Sequence, residues 1–472
     1  MKNILIILSL LICTTYGQDF FKVEEIVPPK ELALEVGGMC LDGKGGVMIT
    51  TRRGEVWNYN KGNWKIFASG LQEPLGIRPG NVPGEWYVLQ RPELTRLLDE
   101  DGDGSADLYS FFARGWGFTG NYHSFAMAFT KDKEGNFYGG LGLPFSQKGK
   151  FQGRWLGTLK SVDRGIYFKI DKDGNYSQFA SGVREPVGST INDKGEIFIT
   201  DTQGSFTCTN WVMHVEKGDF VGHPEGLLWD KSRPGVAAKL LKLPLKERNA
   251  ELNKMRKRPV VYLPYRKLGV SVGGLTFDTS KGKFGPYAGQ LIIAECIRPV
   301  LLRAFIEKVD GVYQGAAFKL SDKVGRGGLR PVFAEDGSLW LGKTARGWGR
   351  GLGLSKVSWN GKVPFDIKEI KIAKDGFDFI FTKPTAKFEA ADLIVSSTVY
   401  EYTNRYKAEM QQGKNLTVSA IELAADGLSA HLKIADLAAD TVVYFNYKKL
   451  RSQKGEATKF GETWYTLNKL KK

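Results

Sequence analysis

Cysteine is nearly absent, with four residues in 472. Cys13 falls in a leading apolar stretch, which leaves Cys40, Cys208 and Cys296 far apart and flanked by small or apolar neighbours. Three thiols permit at most one bridge, and with no CxxC pair and no CxxCH the chain is neither a paired-cysteine zinc module nor a c-type cytochrome. They read as core fillers. Histidine is as sparse, with His123, His214, His223 and His431 only, and His214 and His223 lie too far from any carboxylate cluster to read as a metal site. Beyond residue 12 no stretch reaches the ~18 consecutive apolar residues of a membrane span. Long basic runs are missing too. The net charge is +16, but residues 361–472 hold 18 basic and 14 acidic side chains, so four of the sixteen surplus charges sit there and the rest are dispersed over the first 360 residues. A charge spread this thinly gives no support to a nucleic-acid role.

What the chain has in quantity is glycine (57 residues) and aromatics (Trp 11, Tyr 18, Phe 28), the mixture of short strands and tight turns. It opens with Lys2, the apolar run Ile4–Ile12 and then Thr15-Tyr16-Gly17, small residues at the −3 and −1 positions of a signal-peptidase site. Residues 1–17 are therefore expected to be an export signal, Gln18 the mature N-terminus, and the protein periplasmic or secreted.

Glycine followed by an apolar run recurs six times. The marker glycines are Gly45, Gly84, Gly135, Gly195, Gly289 and Gly337, leading into runs such as Val47-Met48-Ile49-Thr50, Ile197-Phe198-Ile199-Thr200 and Leu339-Trp340-Leu341. Most copies follow another apolar strand and a polar turn, the grammar of a hairpin. A unit of some 40–60 residues built of short strands is the size of one four-stranded propeller blade. The spacing predicts an all-β, six-bladed β-propeller over 18–360, with an insertion at 239–258 that forms a short surface helix. After Lys362 the marker glycines stop and period-two alternation takes over, as in Phe377-Asp378-Phe379-Ile380-Phe381 and Thr441-Val442-Val443-Tyr444-Phe445. Residues 361–472 are expected to form a small C-terminal β-sandwich of immunoglobulin or fibronectin type.

Three features carry chemistry. Asp99, Asp101, Asp103 and Asp107, with Gly104 at the sixth position of the loop, have the spacing that wraps oxygens around calcium; Ser110 at the twelfth position argues for a structural ion rather than a sensor. His123 precedes a strand that begins a blade and is placed to act as a general base. Residues just past the marker strands, on the reading that these line a central channel, ring one mouth of it: Arg52, Arg53, Gln90, Arg91, Asp201, Gln203, Glu295, Arg298, Lys343 and Arg346. A ring so rich in Arg and Lys suits the carboxylates or phosphates of a small ligand.

Asn121-Tyr122-His123, Arg184-Glu185-Pro186-Val187-Gly188, Thr200-Asp201-Thr202-Gln203-Gly204, Val221-Gly222-His223-Pro224 and Gly342-Lys343-Thr344-Ala345-Arg346-Gly347-Trp348-Gly349 occur in an order that resembles the secreted glucose/sorbosone dehydrogenase-like propellers. The subgroup it resembles is often fused to cytochrome c haem-binding modules. The resemblance spans roughly 21–356. It implies an exported sugar or polyol dehydrogenase that uses pyrroloquinoline quinone and a separate electron acceptor. It further implies His123 as the catalytic base, with Lys343 and Arg346 on the cofactor carboxylates. Arg52, Gln90, Arg91 and Arg298 are the further cofactor candidates of the mouth. Tyr122 stands where the family has an acidic residue, and the Asp99–Asp107 loop lies away from its quinone site. The other reading is a non-enzymatic propeller that binds a glycan or a protein, with Trp116, Tyr122 and Trp348 stacking on sugar rings.

Overall fold

The computed structural model describes residues 20–118, 120–121, 123–144, 150–151, 162–345, 349–405 and 413–472. The fold is propeller-like and all-β. Sheet I comprises Val36–Leu41, Val47–Thr51, Val56–Asn60 and Asn63–Ala68; sheet II begins at Gly76–Pro79, sheet III at Ala126–Lys131, sheet IV at Pro186–Ile191 and sheet V at Val272–Phe277. Each runs outward as an antiparallel meander. Sheet VI takes Gly328–Phe333, Leu339–Lys343 and Leu354–Trp359 from late in the chain, and its fourth strand, Phe21–Ile26, from the start; Phe21 lies opposite Trp359 and Ile26 opposite Leu354. The first strands of sheets I to VI touch one another in a closed cyclic order.

Local sequence explains the repetition. All six marker glycines have φ between 78° and 91°, a left-handed conformation that closes each hairpin turn and that side chains other than glycine's disfavour. The marker runs are the second strand of each sheet, not the innermost as the sequence suggested. The innermost strands are glycine-rich for a different reason. A Cβ on Gly38 would lie 2.7 Å from the Cα of Gly76, and one on Gly188 would lie 2.5 Å from that of Gly274, so neighbouring first strands approach more closely than side chains allow.

The insertion forms two short helices, Val236–Leu241 and Leu245–Met255, whose Leu240 and Leu252 pack with Phe220 and Tyr402. The C-terminal region contributes Ile367–Ile372, Gly376–Phe381, Ser429–Ile434 and Val418–Leu423 as one sheet. Its other strands are not separate. Glu462–Leu467 pairs with the last strand of sheet V, Val312–Ser321, so Thr441–Asn446, Ile394–Thr398 and Lys414–Asn415 continue sheet V into an eight-stranded sheet. Phe377, Phe379, Val443 and Phe445 share an apolar core with Ala316 and Phe318 of that sheet.

Arg303 fastens this junction. Its side chain is fully buried, with its guanidinium carbon 4.0 Å from the Tyr287 ring centroid and 3.8 Å from that of Phe318. It donates to Asp366 (3.1 Å), to the carbonyls of Ile367 (2.6 Å) and Lys368 (3.1 Å), and to Gln290 (3.0 Å). A planar fork is needed for that many acceptors. Arg303→Leu would leave Asp366 at the interface without a cation, held only by the Tyr287 and Tyr447 hydroxyls and a backbone N–H. It is expected to lower stability by about 3–5 kcal/mol, read as a shifted urea midpoint, with Arg303→Lys recovering only part of the loss.

Candidate functional site

Two four-residue segments share one design. Glu73-Pro74-Leu75-Gly76 leads into sheet II and Glu185-Pro186-Val187-Gly188 into sheet IV. Each glycine lets the strand join the crowded centre, and each glutamate is left at the same end of the ring.

Glu73 accepts from Arg52 Nη2 (2.5 Å) and from Arg91 Nε (2.8 Å) and Nη2 (2.5 Å). The two guanidiniums lie 4.9 and 5.4 Å from the Phe125 ring centroid, a cation–π arrangement. Arg91 also donates to the Asn121 carbonyl (2.7 Å), and the Asn121 side chain accepts from the backbone N–H of His123 (3.0 Å).

Glu185 does for His123 what Glu73 does for the arginines. Its Oε1 lies 3.1 Å from His123 Nδ1 and its Oε2 2.6 Å from Arg184 Nη1. Burial would push the Glu185 carboxyl up, but Arg184 and His123 outweigh it and hold it at about 2. An ionised carboxylate only accepts, so Nδ1 of His123 carries the proton and Nε2 is the basic nitrogen. Behind the pair, Asp201 accepts the backbone N–H groups of Arg184 (2.7 Å) and Glu185 (2.6 Å), while burial pushes its own carboxyl up to about 7.

His123, Glu185 and Arg52 line one cavity of about 90 Å³ together with Ser271, Cys296 and Thr344; Phe125, Met127, Val187 and Leu329 supply apolar wall. That is space for roughly half a dozen waters, comparable to one sugar ring. Its floor is Arg330, which crosses the centre of the ring to donate to the carbonyls of Gly37 (2.6 Å), Leu75 (3.2 Å) and Val187. Those carbonyls belong to or flank the first strands of sheets I, II and IV. Arg330 has φ of 49°, a strained value for arginine, and burial pushes its guanidinium down to about 10.

The other sequence-derived candidates are placed as follows. Arg91 is one bond removed from the cavity through Glu73. Gln90 turns away to Thr95 (2.6 Å) and to the backbone N–H of Gln72 (2.6 Å). Arg298 donates to the Arg266 carbonyl (2.7 Å), and Lys343 is paired with Glu25. Arg346, Tyr122 and Trp348 lie outside the described residues. Trp116 is buried, stacked on Phe168 at 4.9 Å with its N–H on the Arg91 carbonyl (2.8 Å), and is not available to a sugar ring. Cys40 and Cys208 are free thiols in apolar clusters, whereas Cys296, also free, lines the cavity instead. In the acidic loop the carboxylates of Asp99, Asp101 and Asp107 lie within 4.8 Å of one another, and Asp103 is not in that group; its carboxylate accepts from Ser105 N at 2.7 Å.

Glu185 and Arg330 were not picked out as site residues by sequence. The repeated Glu-Pro-Leu/Val-Gly signalled the first. For Arg330 the only signal is a charged residue inside the strand Gly328–Phe333.

The fold is one that sugar dehydrogenases share. An oxidoreductase given as a glucose dehydrogenase from Thermus thermophilus is 18% identical, with 72% of this chain and 99% of that one covered and a TM-score of 0.50. The holo form of the pyranose dehydrogenase PQQ domain from Coprinopsis cinerea is 12% identical, with 72% and 96% covered and a TM-score of 0.52. No family model matches the chain, and no curated protein does.

Acid should weaken the site in a defined way. Glu185 is held below its unfolded value near 4.5, so its contribution is complete above about pH 5 and is lost as the pH falls towards 2. The stability gap between the native chain and Glu185→Gln is expected to be about 3 kcal/mol at pH 7 and less than half that at pH 3, measured by urea unfolding at each pH.

Proposed function

We propose that the cavity receives a hydroxyl of a neutral sugar or polyol and that His123 takes its proton, making the chain a sugar-dehydrogenase-like protein. The observation that carries this reading is the His123–Glu185 pair, 3.1 Å apart in a wall of a cavity the size of one sugar ring. Glu185 keeps the basic nitrogen at Nε2 and stabilises the imidazolium that proton transfer creates. Arg184 keeps Glu185 ionised, and Asp201 orients the backbone that carries both. The apolar wall excludes water from the hydroxyl.

Oxidising the alcohol also requires an acceptor for a hydride, and a pyrroloquinoline-quinone-type cofactor supplies that chemistry in proteins of the family this sequence resembles. The described residues do not fit it as they stand. The quinone brings three carboxylates, whereas Arg52 and Arg91 are both engaged by Glu73, Arg184 by Glu185 and Lys343 by Glu25, and Arg330 is spent on carbonyls. Among the described residues, the buried Nε of Arg52 is without an acceptor. No step is therefore derived through a quinone, and the same commitment of the cationic donors to internal partners supports the second reading, binding of a sugar or glycan without turnover.

The ring is read as a six-bladed propeller over 18–360, with 361–472 as a sandwich that shares a sheet with the fifth blade. The export signal over 1–17 lies outside the described residues, and among those residues no helix is long and apolar enough to cross a membrane. A periplasmic or secreted location and a separate electron acceptor remain part of the proposal.

Calorimetry with aldoses and polyols is expected to give binding without any quinone, weakened about tenfold in His123→Asn, the worth of one hydrogen bond. No binding across a broad panel would sink the reading. Dye reduction or a thermal shift that depends on added pyrroloquinoline quinone would overturn the conclusion on fit and restore the quinoprotein.

The acidic loop is proposed to hold calcium through Asp99, Asp101 and Asp107, since three converging carboxylates suit a hard cation. Calcium is expected to raise the melting temperature by a few degrees in the native chain and not in Asp101→Asn, and magnesium to do less.

A further inference from the structure

On the face opposite the mouth, where each first strand turns into its second, sheets I and II part around a cleft of about 600 Å³. This is several times the 90 Å³ beside His123 and within the range of ordinary ligand sites. The length of a five-residue strand, roughly 17 Å, separates the two.

One wall is built on Asp42. Its carboxylate accepts the backbone N–H groups of Lys44 (2.8 Å) and Gly46 (2.7 Å) and the side-chain amides of Asn58 (3.0 Å) and Asn60 (3.2 Å). Because a carboxylate accepts only, both amides are oriented with their nitrogens on Asp42, and each amide oxygen has no hydrogen-bond partner among the described residues. The other wall holds Trp86, set edge-on to Phe67 with centroids 6.5 Å apart. The indole N–H of Trp86 has no hydrogen-bond partner among the described residues and is not sealed from solvent. Pro79, Val82 and Pro83 form an apolar rim, and Val82 is 52% exposed.

The cleft thus offers rigid acceptors on one side, a donor on the other and an apolar lip between them. Apart from Asp99, which belongs to the acidic loop at its edge, its charges do not favour an ion. Asp42, Glu85 and Asp99 face Lys44 and Lys65, and the first two have their charge taken up by their own donors, Glu85 by Arg96 and the backbone N–H of Asn81. A ligand with alternating hydroxyl donors and acceptors around an apolar C–H face matches such a surface, and the volume takes more than one ring. We infer that this cleft binds a neutral oligosaccharide of two or three rings, independently of the cavity beside His123.

Calorimetry on the full chain with maltotriose, cellotriose, xylotriose and mannotriose tests it. At least one is expected to bind with a dissociation constant between micromolar and millimolar. Trp86→Phe, which keeps an aromatic ring against Phe67 and removes the pyrrole ring with its N–H, should weaken that binding five- to tenfold. Val82→Arg, a rim change at an exposed position, should abolish it with the melting temperature unchanged, and His123→Asn should leave it as it was. The inference is overturned if none of the four binds, if Val82→Arg and Trp86→Phe both retain the native affinity, or if affinity follows His123 and not Val82. Binding only of a sulfated trisaccharide would likewise overturn it, because the site would then select charge.

Discussion

Two half-buried carboxylates at the end of the ring govern the mouth. Glu73 and Glu185 each precede a proline and a glycine that start an innermost strand, and each gathers cations from its own and a neighbouring sheet. Buried charge is tolerated only when paired, so the arginines and His123 cannot be arranged independently of these two residues. Through Phe125, which lies under both Arg52 and Arg91 and beside His123, the two clusters become one belt across sheets I to IV.

That belt decides the chemistry available. A mouth of unpaired guanidiniums would draw in an anionic cofactor. This one has its guanidiniums engaged from within, and what it leaves is an imidazole with a defined tautomer beside a small, half-apolar space. Arg330 closes the space from below by tying carbonyls of three sheets, so the floor is rigid and the centre of the ring is not an open bore.

The placing of the two candidate surfaces follows from the same meander. Turns between first and second strands all emerge on one face and the residues preceding first strands on the other, which puts the sugar-sized cavity and the larger cleft at opposite ends of the same strands. The C-terminal region is drawn into this scheme by pairing with the exposed outer strand of sheet V, a solution to an unpaired edge, and Arg303 locks the pairing in place.

The six hairpins, the helical insertion near residue 240 and the alternating C-terminal strands were legible in the sequence because turn glycines and period-two patterning are local properties of the chain. The place of His123 just before the first strand of sheet III was legible too. Which cations face the cavity was not legible. Gln90, Arg298 and Lys343 sit at positions equivalent to Arg52, yet each is engaged by a partner that does not line the cavity; Thr95 is local to Gln90, whereas Arg266 and Glu25 are brought up by packing between segments up to the full length of the ring apart. Sheet closure by the N-terminal strand and the merging of the C-terminal region with sheet V also depend on which edges are left unpaired once the ring forms. Sequence alone determined where the chain turns and which faces are apolar, since these rest on backbone sterics and side-chain hydrophobicity residue by residue. The tertiary structure decided which charges neutralise each other, because ion pairing in a buried site is settled by distances between residues that the chain brings together only on closing.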